Sequence, residues 1–198
     1  MIYLVMGGAR TGTSLVASLL HGAGISMGEW LPGLSSYGYE TYEEVRFSRM
    51  ANLVIPDWST SIDVPAIPNI NWRNYFLGMQ DGTGLKHPKL LPLYPFIRDA
   101  LPFVGMTRYI FTHRKPASVI AGLVLAGLSP EEAKSVHGFY SEYQKFATWH
   151  ITPGAQFTID YDDLIDKKDC LGSLLDWIGM PYDEEKLTLL IHREMRHG

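Results

Sequence analysis

Ile2-Tyr3-Leu4-Val5-Met6-Gly7-Gly8-Ala9-Arg10-Thr11-Gly12-Thr13-Ser14 begins with an apolar run, bends through a glycine-rich turn and ends on two hydroxyls. Ser14-Leu15-Val16-Ala17-Ser18-Leu19-Leu20-His21 continues it as an apolar helical stretch. A buried strand that turns directly into a helix aims backbone N–H groups at the helix start, where anions bind. From Gly7 to Ser14 the spacing follows the phosphate-loop outline G-x-x-x-x-G-K-[ST], with Thr13 in the lysine position. In nucleoside triphosphatases that lysine reaches the β- and γ-phosphates, and the following hydroxyl holds magnesium. Here the nearest cation is Arg10, inside the loop. The stretch reads as a site for a phosphate-like anion rather than for ATP; a plain strand-to-helix turn is the bland alternative.

The rest of the chain repeats the strand-then-helix order. Strands are expected at Ile2–Met6, Gly84–Lys86, Tyr109–Thr112 and Gln156–Tyr161. Helices are expected at Thr13–Ala23, Leu90–Ala100, Pro116–Ala126 and Lys168–Ile178. Ser129-Pro130-Glu131-Glu132 is a capping-box start for a long amphipathic helix reaching about Trp149. Strands alternating with helices imply parallel pairing with right-handed crossovers. The expected fold is α/β: a three-layer sandwich with a mainly parallel sheet, like that of P-loop NTPases. Asp57 to Asn74, with Pro56 just before it and Pro65, Pro68, Trp58 and Trp72 within it, reads as a long ordered loop or lid.

The 198 residues are 46% hydrophobic and 19% charged, which suits one domain over 1–198 with a real core. A formal net charge of −4 argues against a general nucleic-acid binder. The one cysteine, Cys170, has no internal partner for a disulfide, in keeping with a reducing compartment. Met1 runs at once into a strand, without the pattern of a secretory leader, and no apolar run is long enough to cross a bilayer. The expectation is a cytoplasmic protein with no membrane and no nucleic-acid partner.

Two further cationic strand ends stand out. Tyr109-Ile110-Phe111-Thr112-His113-Arg114-Lys115-Pro116 sets an arginine where a buried strand meets a helix start. Ligands of open α/β sheets bind at such strand ends, and an arginine fork can grip a phosphate at two points. A solvated Arg-Lys pair is the alternative. Leu85-Lys86-His87-Pro88-Lys89 places Lys86 and His87 at another strand end. No Cys/His set has ligand spacing, and His192 and His197 read as solvated, so no metal site is expected. No Ser-His-Asp or nucleophile-elbow pattern is present.

Taken together, these residues resemble the sulfotransferases that use 3′-phosphoadenosine 5′-phosphosulfate (PAPS) and release PAP. Ala9-Arg10-Thr11-Gly12-Thr13-Ser14-Leu15 is similar to the family's 5′-phosphosulfate loop, P-K/R-S-G-T-T/S-x-L. Tyr109 to Pro116 resembles the strand and R-x-P turn whose arginine holds the 3′-phosphate. Phe157 to Leu164 and Leu174 to Pro181 resemble the Y-E-D-L strand end and the L-x-x-F-L-G-x-P helix end. Lys86-His87-Pro88-Lys89 is similar to the K-T-H-x-P or K-D-P-R segment, and Gly38-Tyr39-Glu40 to G-x-F-E. The order is the family's own, across nearly the whole chain. Two departures stand out. The family's serine eight residues after the 3′-phosphate arginine is Gly122 here, with Ser118 the nearest hydroxyl, and only Arg193, Arg196 and Gly198 stand where the cytosolic branch carries a basic glycine loop.

The resemblance implies transfer of the PAPS sulfuryl group to an acceptor hydroxyl or amine, without metal. It implies nucleotide contacts from Arg10, Thr11, Gly12, Thr13, Ser14, Arg114, Ser118 and Tyr161. It places Lys86 beside the transferring group, with His87 as first choice of base and Glu40 as second. The acceptor is expected to be a small molecule or carbohydrate; Trp58, Trp72, Tyr37, Tyr39 and Tyr42 can stack on it or simply pack. In so short a chain the acceptor pocket is expected to be small, open, or completed by a partner such as the second copy of a homodimer. The rival readings are a P-loop small-molecule or nucleotide kinase, and a non-catalytic nucleotide-binding protein of the same fold.

Overall fold

The computed structural model describes residues 1–28, 42–101, 105–166, 169–181, 183, 185, 188, 189 and 191. Among the described residues four strands form one sheet: β1 (Ile2–Met6), β2 (Gly84–Lys86), β3 (Thr107–His113) and β4 (Gln156–Asp160), in the order β2-β1-β3-β4. Every pair is parallel. The registers Val5↔Lys86, Met6↔Phe111 and His113↔Asp160 bring all four carboxyl ends to one edge.

β1 is buried along its whole length, and its side chains alternate between two cores. Ile2, Leu4 and Met6 join α2 (Val45–Val54), α3 (Trp72–Leu77), α4 (Leu90–Ile97), α5 (Pro116–Leu125) and α6 (Pro130–His150) on one face. Tyr3 and Val5 join α1 (Thr13–Gly22), α7 (Tyr161–Asp166) and α8 (Asp169–Ile178) on the other. The result is a three-layer α/β sandwich with an all-parallel sheet. The capping box at Ser129 and Glu132 is formed, and it opens the 21-residue α6. Among the described residues no helix is long and apolar enough to cross a membrane.

Three local readings are corrected. Asp57 to Asn74 is not one long loop: Val64–Asn69 is a 3-10 helix and α3 begins at Trp72. Ile67 and Trp72 are buried in the core, with the Trp72 ring 5.7 Å from that of Phe47. β4 stops at Asp160, because the Asp160 carboxylate turns back to accept the N–H groups of Asp162 and Asp163, and Tyr161 therefore starts a helix. α2 was not anticipated, although Phe47, Ala51 and Val54 carry helical spacing and the Glu44 carboxylate caps its start by accepting the Phe47 N–H at 2.6 Å.

Candidate active site

The loop after β1 is set by close backbone approach. A Cβ on Gly7 would lie 2.0 Å from Thr112 Oγ1, and one on Gly12 would lie 2.2 Å from Tyr161 Cδ2. Gly12 has φ +93°, a left-handed conformation that suits glycine, and is the N-cap of α1. Thr11 Oγ1 donates to the Gly8 carbonyl at 2.7 Å and lies 2.7 Å from Thr112 Oγ1, so a buried hydroxyl pair ties the loop to β3. Among the described residues no side chain caps the start of α1, and its first turn carries no acidic residue. Such a helix start is favourable to an anion. Thr13 is buried and Ser14 half-buried in that first turn.

Arg114 stands at the end of β3, half-buried, its guanidinium 4.4 Å over the Tyr161 ring. Tyr161 thus touches both, its ring edge against Gly12 and its face under the Arg114 guanidinium. Arg114 Nη1 donates to the Arg10 carbonyl at 3.4 Å, while Nε is buried without a hydrogen-bond partner, 3.9 Å from Asp162 Oδ1. Asp162 Oδ2 lies 3.6 Å from Lys115 Nζ. Ser118 lies in the first turn of α5, half-buried.

At the end of β2, Lys86 and His87 are almost fully buried, 2% and 4% exposed. A parallel bridge pairs the backbone of Glu43 with that of Lys86. Lys86 Nζ donates to Glu43 Oε1 at 2.8 Å, and His87 Nε2 lies 3.6 Å from Glu43 Oε2. His87 Nδ1 accepts the Lys89 N–H at 3.1 Å, so the neutral ring carries its hydrogen on Nε2, facing Glu43. Burial pushes the imidazole down to about 4; Glu43 opposes this, and Lys86 and Lys89 reinforce it. Burial pushes the Glu43 carboxyl up, but Lys86, His87 and Lys89 outweigh it and hold it below the usual carboxylate range. Lys89 Nζ reaches Asp57 at 2.6 Å and also donates to Asn52.

One sheet edge therefore carries the residues expected from the sequence: Arg10 to Ser14, Lys86, His87, Arg114, Ser118 and Tyr161. Glu40, Tyr37, Tyr39, His192, Arg193, Arg196, His197 and Gly198 lie outside the described residues. Glu43 was missed. Among the described residues no group of three or more His, Cys, Asp or Glu is arranged to hold a metal ion. A cavity of about 770 Å³, lined by Ile2, Phe76, Tyr94, Met106 and Ile151, opens at the opposite, amino-terminal ends of β1 and β3 and takes no part in this cluster.

No protein-family model matches the chain, and no curated protein matches it. Solved structures do. The sulfotransferase domain from the curacin biosynthetic pathway aligns with a TM-score of 0.61 at 19% identity, over 94% of this chain and 76% of that one. The sulfotransferase domain of the Synechococcus PCC 7002 olefin synthase aligns with a TM-score of 0.64 at 16% identity, over 94% and 75%. Retinol dehydratase, solved in complex with androsterone and the inactive cofactor PAP, aligns with a TM-score of 0.54 at 13% identity, over 96% and 63%. The chain has the sulfotransferase fold.

Proposed function

We propose that this protein is a PAPS-dependent sulfotransferase acting on a small-molecule acceptor, with residues 1–198 as one catalytic domain. The observation that carries the reading is the pair of anion positions on one sheet edge, the start of α1 and Arg114, both in contact with Tyr161. A nucleotide with a 5′-phosphosulfate and a separate 3′-phosphate needs two such positions. The residues present fit it: among the described residues no side chain caps the start of α1, and Arg114 Nε is a buried donor with no hydrogen-bond partner. The complex of retinol dehydratase with PAP supports the same choice.

PAPS supplies the sulfuryl group. The protein's part is to position and to balance charge, as in phosphoryl transfer. The amides at the start of α1, with Thr13 and Ser14, hold the 5′ side, and Arg114 holds the 3′ side. Lys86, at the end of β2 beside Glu43, meets the negative charge that develops on the leaving oxygen. With PAPS bound, the acceptor oxygen would bond to sulfur as the sulfur–oxygen bond to the 5′-phosphate breaks and PAP leaves, and the acceptor would give up a proton. Glu43 takes that proton: it is the exposed member of the cluster, at 31%, and Lys86 keeps it ionised. His87 faces Glu43 with a hydrogen already on Nε2, so it acts as a positioning residue. This gives Glu43 the role first considered for His87 or Glu40. The kinase reading is weaker, because Thr13 replaces the loop lysine.

The test is selective loss of the 3′ contact. Arg114→Ala removes charged hydrogen bonds worth about 1.5–3 kcal/mol, so PAP should bind roughly ten- to a hundredfold more weakly, with adenosine 5′-phosphate little affected. Equal weakening of both ligands would remove Arg114 from the 3′ site.

A further inference from the structure

The cavity at the amino-terminal ends of β1 and β3 lies at the sheet edge away from the nucleotide cluster. Its volume, about 770 Å³, falls within the roughly 300–1,000 Å³ of small-molecule sites. Ile2, Phe76 and Ile151, all buried, line it, together with Leu77 and Met106, which are 63% and 50% exposed. Large apolar side chains left exposed around one hollow mark a binding surface rather than a core. Tyr94 of α4 also lines the cavity. It is 5% exposed, its ring stands edge-on to that of Tyr109 at 6.0 Å, and among the described residues its hydroxyl has no hydrogen-bond partner. Buried hydroxyls are ordinarily paired, so this O–H is a donor open to a molecule that enters. Burial pushes the Tyr94 phenol up, and Arg98, one turn further along the chain, opposes it, so the guanidinium charge reaches the phenol. The other charged groups around the cavity leave a positive excess. Asp81 is already paired with the Met1 amino group, and the Asp99 side chain, 3.7 Å from Arg98 Nε, is 93% exposed. Arg73 has no ion pair among the described residues, and His150, held through Nδ1 by the Phe146 carbonyl, adds a group that gains positive charge in acid.

We propose that this cavity is a second binding site, for a free aliphatic carboxylate whose chain lies on Ile2, Phe76 and Ile151 and whose carboxylate is held by Arg98 and the Tyr94 hydroxyl. An aliphatic carboxylate matches both halves of the site: an apolar body for walls that offer no polar partner, and one anionic end for a cation beside an unpaired O–H. The proposal does not rest on the PAPS reading. The cavity and the loop before α1 lie at opposite ends of β1, so an occupant here does not compete with an anion bound at the loop.

Calorimetry with decanoate and with decyltrimethylammonium, both below their micelle concentrations, tests it on wild type, Arg98→Met, Tyr94→Phe and Ala155→Phe, with thermal unfolding to confirm that each variant is folded. Wild type should bind one decanoate per chain, and decyltrimethylammonium about tenfold or more weakly. Arg98→Met keeps the apolar stem and removes the charge, so decanoate affinity should fall roughly tenfold or more while the cationic amphiphile binds no more weakly. Tyr94→Phe, which leaves the ring in place, should weaken decanoate several-fold. Ala155 lines the cavity, and Ala155→Phe fills it and should abolish decanoate binding. Equal affinity for the two amphiphiles, or no binding of decanoate by wild type, would overturn the proposal. So would unchanged decanoate binding in a folded Ala155→Phe. Displacement of decanoate by inorganic sulfate or PAP would move it to the other edge of the sheet and overturn the proposal as well. A wild type that binds decanoate but not PAP would reject the PAPS reading and leave this site standing.

Discussion

Acid should loosen this fold through one histidine. His87 is fully enclosed, with its ring 5.4 Å from that of Phe47 and its Nδ1 occupied by the Lys89 amide. It stays neutral when folded down to about pH 4, whereas in the unfolded chain it takes a proton near the usual 6.5. Between those values the unfolded chain binds the additional proton, so lowering the pH favours unfolding; stability from this group is complete above about pH 6.5 and is lost as the pH falls toward 4. The gap between 6.5 and about 4 corresponds to about 3 kcal/mol. For a chain of this size that is roughly 6–12 °C in unfolding temperature. Glu43, also held below its usual range, adds loss in the same direction at the acid end. The assay is thermal unfolding of wild type and His87→Asn at pH values from 7 to 4. Asn can still accept the Lys89 N–H, so the variant should be less stable at pH 7 but lose much less on acidification. Parallel curves for the two proteins would refute the reasoning.

Two other substitutions probe the loop and the base. Glu43→Gln should slow sulfuryl transfer on the order of a hundred- to ten-thousandfold with PAP affinity nearly kept, while His87→Asn retains more activity; wild-type turnover in Glu43→Gln would remove it as base. Gly7→Ala forces a methyl to within 2.0 Å of Thr112 Oγ1 and 2.6 Å of Thr11 Oγ1, so it should cost about 2–4 kcal/mol in denaturant unfolding and abolish PAP binding; normal stability would mean that the loop is not packed this way.

The sequence carried the sheet well where its signals are local. β1 ends where its apolar run does, β2 covers the short Gly84–Lys86 stretch expected, and α6 starts at a capping box that is visible in four residues. Arg114 and the glycine turn were legible because strand ends and helix starts are marked by charge, proline and glycine. Glu43 was not, since its place depends on a bridge to Lys86, far along the chain. α2 is capped by Glu44, a weaker start signal than serine, threonine or aspartate, and its polar face hid the spacing of Phe47, Ala51 and Val54. Asp57 to Asn74 read as a lid because tryptophan and proline suit a loop; Trp72 instead found a buried place against Phe47, which only the packing of α2 creates.

The central claim is that this edge of the sheet binds a nucleotide with two separated anionic ends and uses no metal to do so. Calorimetry of the wild-type protein with PAP in the presence of EDTA, and with ATP and magnesium, tests it most directly. The account predicts one PAP per chain, unaffected by the chelator and bound more tightly than ATP with magnesium. Tighter binding of ATP with magnesium, lost in EDTA, would contradict it and favour a kinase.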